Sequence, residues 1–300
     1  MRKLPLLLLT LAAILPLQAA PESFAYVLQA DAVAGEKAIA IKRLSTLGRD
    51  WIVLDAVFSE DQPWTAEDIT AIRGAKPERK VVAYISIGEA EDYRPYWQKS
   101  WSRTKPKWLG PENPAWKGNH RVDFWNPEWQ AIMLAAVDSA MAAGFDGVYL
   151  DIVDAFESFE KDGARFIDDR PNPATKQSYR RDMVDWVKKI AARARAKKAD
   201  ALVIPQNGSQ LLEHPDFVST ISGIGIEDLF TEDNRLQPKS HTEYVLGFLK
   251  TLGETSKPVL VIEYPDKKEP MDAARRLNHE QGFTWLITDR ELKTPGISGR

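Results

Sequence analysis

Carboxylates close the apolar runs of this sequence. Asp55 falls within "DWIVLDAVF", Glu89 and Glu91 follow "KVVAYISIG", and Asp151 ends "FDGVYLD", with Asp154 and Glu157 just beyond. Glu227 and Asp228 end "SGIGIED", and Glu263 precedes Tyr264 in "PVLVIEY". A single acid at the end of a strand is commonly a helix cap or a solvated loop residue. A set gathered on one rim repels itself, so a site that needs the charges is the simpler account of the group. Asp154, Glu157 and Asp228 are its most ordinary members, and Asp146 reads as a turn residue ahead of its strand.

Other chemistries are poorly supplied. The four histidines, His120, His214, His241 and His279, all lie away from the strand ends, which disfavours zinc or histidine-dependent catalysis. The chain has no cysteine, hence no thiol nucleophile and no thiolate metal site. No lysine closes a strand, and no glycine-rich phosphate loop follows the last two. A carboxylate pair remains, and its best-known use is glycoside hydrolysis, with one acid protonating the leaving oxygen and the other acting as nucleophile or base. A metal-dependent hydrolase using the acids as oxygen ligands is a competing reading; the expectation here is no metal and no cofactor.

The elements that must carry these acids alternate. Apolar runs at 23–29, 50–58, 80–88, 145–151, 201–207, 222–228, 258–264 and 282–288 predict eight strands. Helical spacing appears at 35–48, 65–76, 127–143, 174–198, 239–252 and 270–280, with Thr65 and Asp68 spaced as a capping box. Such alternation predicts a parallel sheet, and eight units predict a (β/α)8 TIM barrel as a single domain over 21–300. The connection between the fifth and sixth strands is too thin for a full helix. In a barrel, the loops after the strand C-termini build the site. Alternation puts Tyr149 and Asp151 on one face, and Glu227 on the face of Gly223 and Gly225, where a crowded interior favours missing side chains. The fourth and sixth strands are one neighbour apart, roughly 10 Å between Cα atoms, so Asp151 and Glu227 are within reach of a common bond.

The chain has 300 residues, ten of them tryptophan, and a net charge of −3, which offers no footprint for nucleic acid. Six tryptophans, Trp97, Trp101, Trp108, Trp116, Trp125 and Trp129, lie after the third strand. They either pin down a long loop or, as expected for Trp97 and Trp125 in particular, present faces that stack on sugar rings. The opening "MRKLPLLLLTLAAILPLQAA" has basic, apolar and small-residue segments in the order of a cleavable secretory signal over 1–20. Its apolar run is short of the roughly 20 residues a membrane span needs. A secreted or periplasmic protein without a membrane span in the mature chain is the expectation.

The segments "VVAYISIGEAEDYRPYW" (81–97), "FWNPEW" (124–129), "GFDGVYLDIVDAF" (144–156) and "VLVIEY" (259–264) resemble, in this order, glycoside hydrolase family 114, the endo-α-1,4-polygalactosaminidase-like group. The resemblance implies a (β/α)8 barrel without cofactor, acting on α-linked galactosamine-containing exopolysaccharide. It implies Asp151 as nucleophile and Glu227 as general acid/base, with Asp55, Tyr84, Glu89, Asn207, Glu263 and Tyr264 lining the sugar site. Tyr149 and Asp154 join that lining by position. A cationic amino-sugar polymer suits an acidic rim. A non-catalytic polysaccharide-binding barrel is the alternative.

Overall fold

The computed structural model describes residues 20–59, 61–253 and 255–300. The expected leader therefore lies outside the described residues, apart from Ala20. Eight parallel strands form the centre: β1 (Phe24–Val27), β2 (Trp51–Asp55), β3 (Lys80–Ser86), β4 (Gly147–Asp151), β5 (Leu202–Pro205), β6 (Ile224–Glu227), β7 (Val259–Glu263) and β8 (Thr284–Ile287). The first five pair in sequence order in one sheet, and β6, β7 and β8 pair in a second. The helices α1 (Lys37–Ser45), α2 (Ala66–Arg73), α3 (Pro127–Ala142), α4 (Tyr179–Lys197), α5 (Pro215–Thr220), α6 (Lys239–Leu249) and α7 (Lys268–Gln281) follow the first seven strands in turn. This is a (β/α)8 barrel. Its short α5 bears out the thin connection between the fifth and sixth strands.

The two sheets meet through an isolated parallel bridge between Gln206 and Gly225. At the other seam, a C-terminal strand absent from the sequence-based expectation, β9 (Ile297–Gly299), pairs antiparallel with β8. Ser298 Oγ accepts the Phe24 N–H at 3.0 Å and donates to the Trp285 carbonyl at 2.6 Å, tying β1 to β8 through one side chain. Thr284 Oγ1 adds a bond to the Pro21 carbonyl at 2.7 Å.

Two apolar layers follow from the period of two along each strand. Phe24, Tyr26, Trp51, Val53, Val82, Tyr84, Tyr149, Ile204, Ile262 and Tyr264 fill the barrel interior. Ala25, Ile52, Leu54, Val81, Val148, Val203, Ile226 and Val261 face the helices. Local chemistry sets the helix starts. Thr65 Oγ1 accepts the Asp68 N–H at 3.2 Å while Asp68 accepts the Thr65 N–H at 2.9 Å, the reciprocal pair predicted for α2. Asn126 caps α3 ahead of Pro127. Trp129 on α3 and Trp186 on α4 both donate to the carbonyl of Ile87 just past β3, at 2.9 and 3.4 Å. Asp146, ahead of β4, is bound to the Val81 N–H, Arg73 and Lys198, each at 2.9 Å, and is structural. No helix among the described residues is long and apolar enough to cross a membrane.

Candidate active site

The C-terminal ends of the strands open into a cleft with a floor of tyrosine. Tyr26, Tyr84, Tyr149 and Tyr264 all come from the inward face, and the Tyr26 ring lies 5.1 Å from Tyr149 and 6.2 Å from Tyr84. Room for Tyr149 comes from Gly225 on β6. A Cβ there would collide with the Tyr149 hydroxyl and the Gln206 amide, which hydrogen-bond to each other.

Asp151 and Glu227 stand on this floor, at the ends of β4 and β6. Tyr84 donates to Asp151 Oδ2 at 2.7 Å, and the Ile152 N–H folds back onto Oδ1 at 2.7 Å. Ile152 itself has a left-handed backbone, φ 55°, unusual for a β-branched residue. Such a conformation costs about 1–2 kcal/mol. Tyr264 donates to Glu227 Oε1, and Asn207 Oδ1 accepts the Glu227 N–H at 3.0 Å. Burial and the facing Glu227 charge push Asp151 up to about 7, against the Tyr84 and Ile152 bonds that favour its anion.

Two lobes meet at this pair. The inner lobe, about 610 Å³, is lined by Tyr26, Asp55, Tyr84, Asp151, Glu227 and Tyr264. The outer lobe, about 790 Å³, contains Glu227 but not Asp151, and runs out past Asp154 and Glu157. Trp116, Asp154, Asn207, Glu227 and Arg290 line both. Arg94 neutralises the inner wall, binding Asp55 at 2.8 Å and Glu91 at 2.5 Å. Arg290 grips Asp228 with two bonds of 2.9 Å and lies 4.3 Å from the Tyr264 ring centroid, above the tyrosine that serves Glu227. Asp154 has no cationic partner among the described residues. Its pKa is raised well above the usual carboxyl range by burial and by the charges of Glu157, Asp151 and Glu227.

The structure thus gathers Asp55, Tyr84, Asp151, Asp154, Asn207, Glu227 and Tyr264 around one cleft. Five expected lining residues sit elsewhere. Glu263 shares the face of Val259 and Val261, so it points toward the helices. It is fully buried and accepts the N–H groups of Phe230 and Thr231 at 2.9 and 3.0 Å and the Thr231 hydroxyl at 2.5 Å. Glu89 is taken up by Asn113 and Asn119, at 2.9 and 3.3 Å, and anchors the long loop instead of facing the cleft. Tyr149 is sealed beneath the carboxylates. Trp97 stacks on His120 at 4.9 Å, and Trp125 packs against Phe124, Phe159 and Tyr179. With Trp101, Trp108 and Trp129 they form the loop's own core. The tryptophan that does face the cleft is Trp116, 56% exposed. Sequence reasoning also missed Tyr26, Arg94 and Arg290. The inward parity of Tyr26 on β1 was the one readable signal for them.

Glu263→Ala is expected to destabilise the fold by about 1–3 kcal/mol for each buried donor left unpaired, with Glu263→Gln recovering much of the loss. Urea unfolding of the two variants checks this; equal stability of Glu263→Ala and the parent would refute it.

The sequence profile of glycoside-hydrolase family GH114 matches residues 14–299. The chain belongs to family GH114. It is accordingly a glycoside hydrolase. An uncharacterized protein of Deinococcus radiodurans is 36% identical over 242 residues, 80% of this chain and 73% of that protein. Two solved structures share the fold. The glycoside hydrolase domain of PelA from Pseudomonas aeruginosa superposes with a TM-score of 0.65 at 19% identity, covering 93% of this chain and 98% of that one. Aspergillus fumigatus Ega3, solved in complex with galactosamine, gives a TM-score of 0.65 at 17% identity, covering 95% of this chain and 97% of that one.

Proposed function

We propose that this GH114 protein is an exported, endo-acting hydrolase of α-1,4-linked, galactosamine-containing exopolysaccharide, with Asp151 as nucleophile and Glu227 as general acid/base. The observation that carries this reading is the pair itself: two inward carboxylates at one junction of an open cleft, each held by its own tyrosine hydroxyl. Glu227 would protonate the glycosidic oxygen as its bond to the anomeric carbon breaks. Asp151 would bond to that carbon, and a water deprotonated by Glu227 would then release the sugar. The Tyr84 and Ile152 hydrogen bonds favour the anion of Asp151 that the attack needs. An amino-sugar polymer carries ammonium groups, and an ammonium brought beside the unpaired carboxyl of Asp154 would favour its charged form; the galactosamine bound to Ega3 is consistent with that choice.

A pH profile follows. Below about 7 Asp151 holds a proton in the empty cleft. The reactive form has the same proton count, with the proton on Glu227 instead. Raising the pH through about 7 removes that shared proton and with it the general acid. The kcat/KM profile should therefore fall on its alkaline side with an apparent pKa near 7. A profile flat from pH 6 to 9 would count against this sharing.

Mass spectrometry of products tests the substrate. The mature protein should release oligosaccharides from partially deacetylated α-1,4-galactosamine polymer and none from chitosan. Binding of the polymer without any product would favour a lectin-like barrel, and no binding would rule out this substrate class.

A further inference from the structure

The outer lobe is lined by three large aromatic side chains that the fold leaves open to solvent. Trp116 is 56% exposed, Phe166 57% and Tyr244 50%. They come from three separate places: the loop between the strands Leu109–Glu112 and Asn119–Val122, the hairpin after β4, and α6. Among the described residues, the other large aromatics are at least partly covered, as the Trp97–Trp101–Trp108–Trp129 series shows, apart from Tyr93 at the inner lobe, 44% exposed. Exposing three around one cavity runs against that pattern, since each leaves apolar area in water at about 25 cal/mol per Å². The arginines of the lobe are already paired. Arg180 is paired with Glu160 at 2.9 Å and Asp168 at 2.8 Å, and Arg290 with Asp228. What the lobe offers a ligand at this end is flat apolar surface with paired arginines between, suited to the faces of pyranose rings.

Which part of a glycan lies here follows from the two lobes. The sugar attacked at its anomeric carbon must lie with Asp151, in the inner lobe. The outer lobe contains Glu227 and lacks Asp151. We infer that the outer lobe binds the leaving side of the polysaccharide, the residues beyond the bond being cut, with Phe166 and Tyr244 as stacking platforms distant from the reacting atoms. The inference rests on the roles proposed above for Asp151 and Glu227. It assigns to these two side chains a part in selecting long substrates.

The test uses the Phe166→Ala, Tyr244→Ala double variant and two substrates. One is the partially deacetylated α-1,4-galactosamine polymer. The other is a short galactosamine oligosaccharide with an activated fluoride leaving group, which fills only the inner lobe. KM for the polymer should rise about 10- to 100-fold, with kcat changed less than about threefold. Turnover of the fluoride should stay as in the parent, and the polymer's products should shift in length. An unchanged polymer KM overturns the inference while leaving the proposed function intact. Equal losses on both substrates also overturn it, because they would show a structural role. Should the parent hydrolyse neither substrate, the proposed function fails. The lobe is then judged by calorimetric binding of the unmodified oligosaccharides: weaker binding by the variant would support the platform, and equal or no binding would overturn it.

Discussion

Asp151→Asn is expected to lower kcat on the polymer by about 10⁴ or more, the scale on which removal of a reacting group costs other hydrolases. The amide keeps an oxygen for Tyr84 or the Ile152 N–H, so the side chain stays in place. It cannot bond to the anomeric carbon and leave again as a carboxylate does. Stability should move the other way or not at all. The substitution removes a carboxyl that burial and Glu227 push up to about 7, and so relieves a strained pair. The measurements are steady-state turnover and a thermal melt on the same preparation. A variant with an unchanged melt and activity within tenfold of the parent would remove Asp151 from the mechanism.

Glu227→Gln should lower polymer hydrolysis by about 10²–10⁴, the usual contribution of a positioned general acid. The loss depends on the leaving group, unlike that at Asp151. An activated fluoride leaves without protonation, so its first step should be spared and a glycosyl intermediate on Asp151 should accumulate. Azide, which attacks without a general base, should then restore turnover and give a glycosyl azide product. If azide gives no recovery and the fluoride loses as much as the polymer, Glu227 is not the acid/base. Tyr264 would be left without its carboxylate acceptor in this variant, but an amide oxygen can take the same bond.

The order of strands and helices was legible because largely apolar runs of seven to nine residues bounded by polar turns admit few readings. Asp151 and Glu227 were legible as well, since Tyr149 and Gly225, two residues back on each strand, mark the inward face. The same parity bore on Glu263. Val259 and Val261 share its face and pack toward the helices, whereas Leu260, Ile262 and Tyr264 point into the barrel. A family motif placed Glu263 in the site; alternation alone would have placed it under the α-helical layer. The tryptophans were not legible in this way. A long loop has no period, so nothing local distinguishes Trp97, folded onto His120, from Trp116, turned to the cleft. The closure at β9 was equally hidden, because a strand of three residues with one serine bridge carries no pattern to read.

The exposure of Trp116 gives the molecule an optical reporter. Trp51, Trp64, Trp101, Trp108, Trp129 and Trp186 are buried, and Trp97, Trp125 and Trp285 are partly covered by their neighbours. A dissolved quencher such as acrylamide would therefore reach Trp116 first, and a glycan in either lobe would shield the same ring. Fluorescence quenching can follow occupancy of the cleft in the unlabelled protein, including in variants that no longer turn over.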